Sequence, residues 1–288
     1  MNSYKTILIP VDLSINTGLA VKKALEFADP DISFVHLLHV TRYKPIPNDE
    51  QDDDFSADPS ENGVNKYYVT EMKLVEWEKR LRESSPGIHF QTHLVPGRRI
   101  QREIIRVASV LKPDLIIIAK SSGLRWFSFL STIKTGILAH RTNSAVLTVK
   151  PGSENSSIKS VVIPVRSFIP KRKFNSLVPL LKEKNITIYL LSLLDSGNKF
   201  DYSSASFAFI ETYRLLKDMG NCQIVHKLIS GHNMAKSILQ YAQSVHADVL
   251  MVNPEENKIS KLLDIDIIDR ISRSSTLQIL AINPAVKL

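Results

Sequence analysis

The chain has 288 residues, of which 43% are hydrophobic and 23% charged, and its formal net charge is +8. This length predicts two domains of about 100 to 200 residues each. No apolar run approaches the roughly 18 to 20 residues that cross a bilayer, and the amino terminus does not resemble a secretory signal. We therefore expect a soluble cytoplasmic protein without a membrane partner.

The positive charge is spread along the chain. Residues 1–150 contain 20 Lys and Arg against 17 Asp and Glu, and residues 151–288 contain 17 against 12. The densest basic clusters, at 98–106 and 171–173, lack the interleaved aromatic side chains that stack on bases. Solvated helix faces explain these clusters better than a nucleic-acid groove does, so nucleic acid is not expected as a partner.

The first half alternates apolar runs with helical patterns. Residues 5–12 form a continuous apolar run, which predicts a central strand covered on both faces. Ser14 is a candidate N-cap, and apolar residues then recur at helical spacing as far as Ala28. The other elements predicted in this half are strands at 32–40, 89–95, 114–119 and 145–149, and helices at 67–83, 97–111 and after 131.

An insert at 42–63 interrupts this alternation. It contains three prolines and the acidic run 49–54, a composition that cannot bury enough surface to fix itself. A calcium loop is the alternative, but the run lacks the alternating oxygen ligands, central Gly and distal Glu of an EF-hand. A surface loop is the expectation, and its role stays open.

The second half begins by repeating the first. Residues 159–166 repeat 5–12, and 186–194 align with 32–40 when the same offset between the two copies is applied. Such repetition indicates a duplication.

Further along the chain, the difference in residue number between matching positions of the two copies becomes smaller. Gly231 matches Gly97 and Asp248 matches Asp114, and these two pairs share one offset. The shortening falls where the acidic insert lies, so the second copy mostly lacks that insert.

Both copies therefore predict the same fold. Strands that alternate with helices imply a parallel sheet with right-handed crossovers and helices on both faces. The predicted class is α/β with two doubly wound, five-stranded parallel sheets, in domains at 1–150 and 159–288.

Five motifs follow one another in the first half. They are the opening run with Asp12 and Ser14, the strand end at Val40, the helix start at Gly97, and the segments 113–118 and 144–149. In this order they resemble the universal stress protein family over 4–150, and more weakly over 159–283, so the chain is identified as a tandem member. The resemblance implies a Rossmann-like fold of the adenine-nucleotide-binding type.

The resemblance also implies where a nucleotide would bind. In members that hold ATP, an Asp after the first strand meets the nucleoside, backbone at the end of the second strand lies by the adenine, and a G-x2-G-x9-G-[ST] loop wraps the phosphates. Glycines allow backbone amides to approach phosphate oxygens. The corresponding candidate residues here are Pro10, Val11, Asp12, Val40, Ala119, Ser121, Ser122, Gly123, Ser131 and Thr132.

This loop departs from the family pattern in both copies. Ala119, Ser122 and Ser131 stand where the three glycines would be, while Thr132 keeps the hydroxyl. In the second copy Arg166 replaces the acidic residue, and 253–256 replaces the loop with a segment that contains two glutamates. The second domain is therefore interpreted as a structural or partner-binding domain.

These departures favour binding without catalytic turnover. We expect a regulatory or protective binding module with protein clients, and the alternative is an ATP or adenine-nucleotide switch in the first domain, with slow hydrolysis. His36 and His39 lie three apart on one strand and point to opposite faces, so they do not form a metal pair. No catalytic residue is assigned.

The closing strands of the two domains are expected to assemble. The apolar segments 145–149 and 278–282 would lie at the edges of their sheets, where unpaired backbone recruits a partner. The sequence predicts that they pair with each other or across a dimer.

Overall fold

A computed structural model describes residues 3–42, 61–120, 129–153, 157–165, 177–181, 186–194, 202–218, 222–230, 233–252 and 275–283. Several sequence interpretations concern residues outside these ranges. They are most of the acidic insert, the loop residues Ser121, Ser122 and Gly123, and, in the second copy, Arg166 and 253–256.

The chain forms ten strands and six α-helices within the described residues. The strands are β1 (Thr6–Pro10), β2 (Phe34–Thr41), β3 (His89–Pro96), β4 (Leu115–Ala119), β5 (Ala145–Val149), β6 (Ser160–Val165), β7 (Ile186–Leu194), β8 (Cys222–Ser230), β9 (Val249–Val252) and β10 (Gln278–Ala281). The helices are α1 (Ile15–Phe27), α2 (Glu61–Ser84), α3 (Ile100–Leu111), α4 (Thr135–Thr142), α5 (Tyr202–Asp218) and α6 (Met234–Ser244), with 3₁₀ turns at Phe129–Thr132 and Val178–Leu181.

All ten strands belong to one sheet, in the order β3-β2-β1-β4-β5-β10-β9-β6-β7-β8. Neighbouring strands are parallel except at the centre, where β5 and β10 pair antiparallel with Leu147 opposite Leu280. The α/β class and the doubly wound order of each half are confirmed. The closing strands pair with each other within one chain, which was one of the two arrangements predicted for them.

Two hydrophobic cores cover the two faces of this sheet. Ile7 and Ile9 of β1 face one core and Leu8 faces the other, which explains why the strand sequence is apolar at every position. Helix α1 packs on the first face and α3 on the second. Each core contains side chains from both halves of the chain.

Helix ends follow from local sequence. Ser14 caps α1, because its Oγ accepts a hydrogen bond from the backbone amide of Asn16 at 3.2 Å. Lys112 and Asn143 end α3 and α4 in the left-handed conformation, with φ of 49° and 63°. Helix α2 begins at Glu61, ahead of the predicted start at 67, so the last residues of the predicted insert belong to this helix.

The sequence alignment of 186–194 (β7) with 32–40 (β2) is wrong by one position. The offset that relates 5–12 to 159–166 makes Tyr189 the counterpart of Val35. In the structure Ile7 pairs with Val35, and Val161, the counterpart of Ile7, pairs with Ile188. A shift of one position turns every side chain of a strand to the other face. Because Val35 and Ile188 both face the first core, Ile188 is the true counterpart of Val35.

Candidate functional site

The candidate site lies at the edge of the sheet where β1 and β4 end. Strand order reverses between these two neighbours, since the chain proceeds from β1 towards β3 on one side and from β4 to β5 on the other. Ligands of open parallel sheets bind outside the carboxyl ends of the strands at such a reversal. Pro10 and Ala119 are the last residues of β1 and β4, and Val40 lies near the end of the adjacent β2.

Asp12 is held by its own turn. Its Oδ1 accepts hydrogen bonds from the amide and the hydroxyl of Ser14, at 3.0 and 2.5 Å, and from Thr17 Oγ1 at 3.2 Å. Leu13 takes a left-handed φ of 57°, a conformation that non-glycine residues seldom adopt, and this brings Ser14 back towards the carboxylate. The half-buried Asp12 thus fastens β1 to the first turn of α1.

The backbone of Val11 is also engaged. Its amide donates to Leu38 O at 2.8 Å, and its carbonyl oxygen lies 2.9 Å from Nδ1 of His39. Burial lowers the pKa of His39, although the Val11 carbonyl and the Asp12 charge act in the opposite direction. The His39 ring therefore connects the ends of β1 and β2.

Of the remaining candidate residues, the structure places Ala119, Ser131 and Thr132. Ala119 is buried at the end of β4, and Ser131 and Thr132 lie in the 3₁₀ turn that precedes α4. Helix α4 begins just beyond Thr132, at Thr135, because Leu130 and Ile133 anchor the turn in the second core. The side chain of Thr135 is buried, with its hydroxyl 3.0 Å from that of Thr148 on β5.

Two lysines lie where β4 and β5 end. The amide of Lys120 donates to Val149 O at 2.9 Å, which places Lys120 beside Lys150. Burial and the charge of Lys120 together lower the pKa of Lys150. Sequence reasoning did not single out Lys150, because it follows a different strand, β5, and meets Lys120 only when β4 and β5 pair.

His36 and His39 of β2 have different hydrogen-bond partners. His39 bonds to Val11, and His36 points away from it, with Nδ1 3.0 Å from Nε2 of His93 on β3. Burial and the neighbouring His93 lower the pKa of His36 to about 4. Among the described residues, no group of three or more His, Cys, Asp or Glu side chains is arranged to hold a metal ion.

Asp114 and its counterpart Asp248 have a structural role. Oδ2 of Asp114 accepts from the amides of Lys5 and Thr6 at 2.9 and 3.0 Å, and Oδ2 of Asp248 accepts from those of Lys159 and Ser160 at 2.9 Å each. Each carboxylate therefore ties the start of the first strand of its half to the start of the fourth.

A cavity of about 710 Å³ lies at the opposite edge of the sheet from the candidate site. It is lined by Tyr4 and Asp114, which precede β1 and β4, by Asn143 before β5, and by Ile282 and Asn283 after β10. The buried amide of Asn283 donates to His140 O at 3.3 Å, which links the two halves beside the cavity. None of the predicted site residues that the structure describes lines it.

None of the helices in the part of the chain that the structure describes is long and apolar enough to span a bilayer.

Comparisons with known proteins agree with this architecture. A universal stress protein from Archaeoglobus fulgidus has a solved structure that is 15% identical, with coverage of 98% of this chain and 97% of that chain and a TM-score of 0.64. A functionally unknown protein from Pseudomonas aeruginosa is 16% identical, with coverage of 98% and 94% and a TM-score of 0.58. Identities this low show the fold alone.

A search of curated protein sequences finds no significant match. The family model described as the universal stress protein family, in contrast, matches residues 3–150, which are just over half of the chain. The chain therefore belongs to the universal stress protein family.

Proposed function

We propose that this chain is a tandem universal stress protein that acts by binding, as a regulatory or protective module, without catalytic turnover. Its functional units are the domains at 1–150 and 159–288. The observation that carries the proposal concerns Asp12, the acidic residue that a nucleoside would contact in this family. Its carboxylate already accepts hydrogen bonds from Ser14 and Thr17 of the same chain.

The hydrogen bonds of Asp12 support this reading. A ligand hydroxyl that approached Oδ1 would compete with three donors of the same turn, each worth about 1 kcal/mol or more because the acceptor is charged. Ala119 adds a side chain where the family pattern has glycine, so a phosphate cannot approach the backbone as closely. Both features favour a structural use of this edge.

The competing proposal is an adenine-nucleotide switch in the first domain, with slow hydrolysis. It is supported by the position of Pro10, Asp12 and Ala119 at the strand-order reversal. Lys120 and Lys150 add positive charge at the same edge, and such charge favours phosphate.

Thermal-shift titration of the full chain with ATP, AMP and cyclic AMP separates the two proposals. A ligand at 100 times its Kd stabilises a protein by about 2.7 kcal/mol, a readily measured increase in Tm. We expect no shift with any of the three nucleotides and no phosphate release from ATP. Nucleotide-dependent stabilisation would favour the switch, and ATP turnover would contradict a non-catalytic role.

Substitutions at the lysines locate any binding that is observed. If a nucleotide binds through its phosphates at this edge, combined Lys120→Ala and Lys150→Ala should weaken binding at least tenfold. Lys5→Ala, an exposed change at the opposite edge, serves as the control and should leave affinity unchanged. Equal effects of both changes would show only a general response to net charge.

A further inference from the structure

The ten-stranded sheet has two outer edges, β3 and β8, and they are equivalent positions of the duplicated fold. Phe90 on β3 pairs with Val35, and Ile224 on β8 pairs with Ile188, the counterpart of Val35. An outer strand presents backbone amides and carbonyls that can pair with another chain. The two edges differ in whether side chains form hydrogen bonds with these outward backbone groups.

The β3 edge is capped by two side chains of α2. Arg82 donates from Nη2 to the carbonyl oxygen of Phe90, and Glu78 Oε2 accepts from the amide and hydroxyl of Thr92, at 3.0 and 2.8 Å. Glu78 Oε1 in turn accepts from Nε and Nη2 of Arg82 at 3.0 and 2.7 Å. A strand that approached β3 would have to displace this ion pair.

The β8 edge has no such cap among the described residues. The counterparts of Phe90 and Thr92 are Ile224 and His226, and no described residue donates to or accepts from their outward backbone groups. The offset that relates Phe90 to Ile224 also relates Glu78 and Arg82 to Thr212 and Leu216 on α5, which are both buried against the sheet. The second copy has therefore replaced the capping pair with core residues.

Apolar side chains are exposed on β8 and on α5, the helix that packs on it. Leu228 on β8 is 51% exposed, and Phe207, Ile210 and Tyr213 on α5 are 63, 46 and 38% exposed. The ring of Phe209 joins strand and helix, with its centroid 4.2 Å from that of His226 and 6.4 Å from that of Tyr213. The unpaired strand and the apolar helix face thus form one surface, the β8–α5 edge.

We propose that the β8–α5 edge binds the same edge of a second copy of this chain. Antiparallel pairing of β8 with β8 of the partner creates a two-fold axis perpendicular to the sheet, so both α5 helices lie side by side on one face. The junction of β5 and β10 joins the two halves of this chain in the same way. An extended peptide could pair with β8, but it would leave the exposed apolar side chains of α5 without a partner, whereas a second copy places its own α5 beside them.

The dimensions suit a reversible dimer. The whole of β8, at about 3.3 Å per residue, spans about 30 Å, and a strand with its covering helix layer is about 20 Å deep. This gives about 600 Å² on each partner, or about 1,200 Å² in total, the lower end of the range for specific interfaces. A Kd on the order of micromolar is expected for such an interface.

The test is the mass of the full chain in solution as a function of concentration, measured by sedimentation. The wild type should approach the mass of two chains as concentration rises through the micromolar range. Combined Leu228→Lys and Ile210→Lys should remain at the mass of one chain, with an unchanged circular dichroism spectrum because both positions are exposed. Met72→Lys, an exposed change on α2 beside the capped edge, should dimerise like the wild type.

Removal of the cap gives a second, independent readout. Combined Glu78→Ala and Arg82→Ala opens the β3 edge, and a chain with two open edges should form assemblies larger than two chains. The proposal is overturned by a wild type that keeps the mass of one chain at every concentration. A double-lysine variant that dimerises as tightly as the wild type would overturn it equally, as would loss of dimer in Met72→Lys.

Discussion

Asp12 stabilises the local fold at the candidate site through three hydrogen bonds to its carboxylate. It connects the end of β1 to α1 through Ser14 and Thr17, and Ser14 caps the same helix. A carboxylate that accepts several hydrogen bonds stabilises the folded chain whether or not a ligand is present.

We expect Asp12→Ala to lower the free energy of unfolding by about 1 to 3 kcal/mol, because the donors of Ser14 and Thr17 lose their charged acceptor. Urea denaturation followed by circular dichroism measures this change. Glu83→Ala, an exposed substitution near the end of α2, should alter stability by less than about 0.5 kcal/mol. Equal stability of Asp12→Ala and the wild type would mean that the turn does not depend on this carboxylate.

His36 predicts a pH dependence. Burial and His93 lower its pKa in the folded chain to about 4, against about 6.5 in the unfolded chain. Between these values the unfolded chain binds more protons, so the contribution of His36 is complete above pH 6.5 and is lost as pH falls towards 4. The free energy of unfolding should therefore decrease over this interval.

His36→Gln should reduce the slope of stability against pH between 6.5 and 4, since glutamine does not titrate. The exposed change Val110→Gln on α3, at a position that does not titrate, is the control and should keep the wild-type slope. The measurement is a series of urea denaturations at half-unit pH steps. Identical slopes for His36→Gln and the wild type would contradict a buried neutral His36.

Single residues could be predicted where their role depends on neighbours that are close in sequence. Ser14 was predicted as an N-cap because it follows a strand and precedes a helix, and Asp12 was assigned from the family resemblance. His93 and Lys150 were not, because each meets its partner, His36 or Lys120, only through the pairing of strands that are distant in sequence. The placement of the nucleotide residues stays a prediction.

At the scale of elements, the strands and most helices follow from hydrophobic pattern alone. Continuous apolar runs identified β1 and β4 because a strand buried on both faces has no polar alternation. The pattern left the partner of β5 open, since an unpaired strand edge is satisfied equally by β10 or by another chain. The one-position error at β7 has a similar cause, because a run that is apolar at nearly every position does not reveal which side chains face which core.

The central junction should be sensitive to packing. Leu280 on β10 is fully buried opposite Leu147 of β5, so Leu280→Ala should lower the free energy of unfolding by about 2 to 5 kcal/mol. Val69→Ala on the exposed face of α2 provides the comparison and should change stability by less than about 0.5 kcal/mol. A small effect of Leu280→Ala would indicate that β10 does not pack as described.

At the scale of the whole molecule, the shared cores predict cooperative unfolding. Both hydrophobic cores contain side chains from the first and the second half. Both tryptophans, Trp77 and Trp126, lie in the first half, so fluorescence reports on that half while circular dichroism reports on both. We expect the two signals to give the same urea midpoint, as in a two-state transition.

Separate midpoints would show that the halves unfold independently despite the junction. A useful check is that Leu280→Ala, which changes the second half, should move the fluorescence midpoint together with that of circular dichroism. A displacement of the circular dichroism midpoint alone would contradict coupling through β5 and β10.

The antiparallel junction also sets the direction of the two halves. Because strand polarity reverses between β5 and β10, the carboxyl edge of the first half's strands and the corresponding edge of the second half face opposite ways. The end of β10, with Ile282 and Asn283, thus lies beside the start of β5 and its cavity. A molecule that approaches one edge of the sheet therefore meets the carboxyl ends of the strands in one half and the amino ends of the strands in the other. The duplicated halves thus offer it two unlike surfaces.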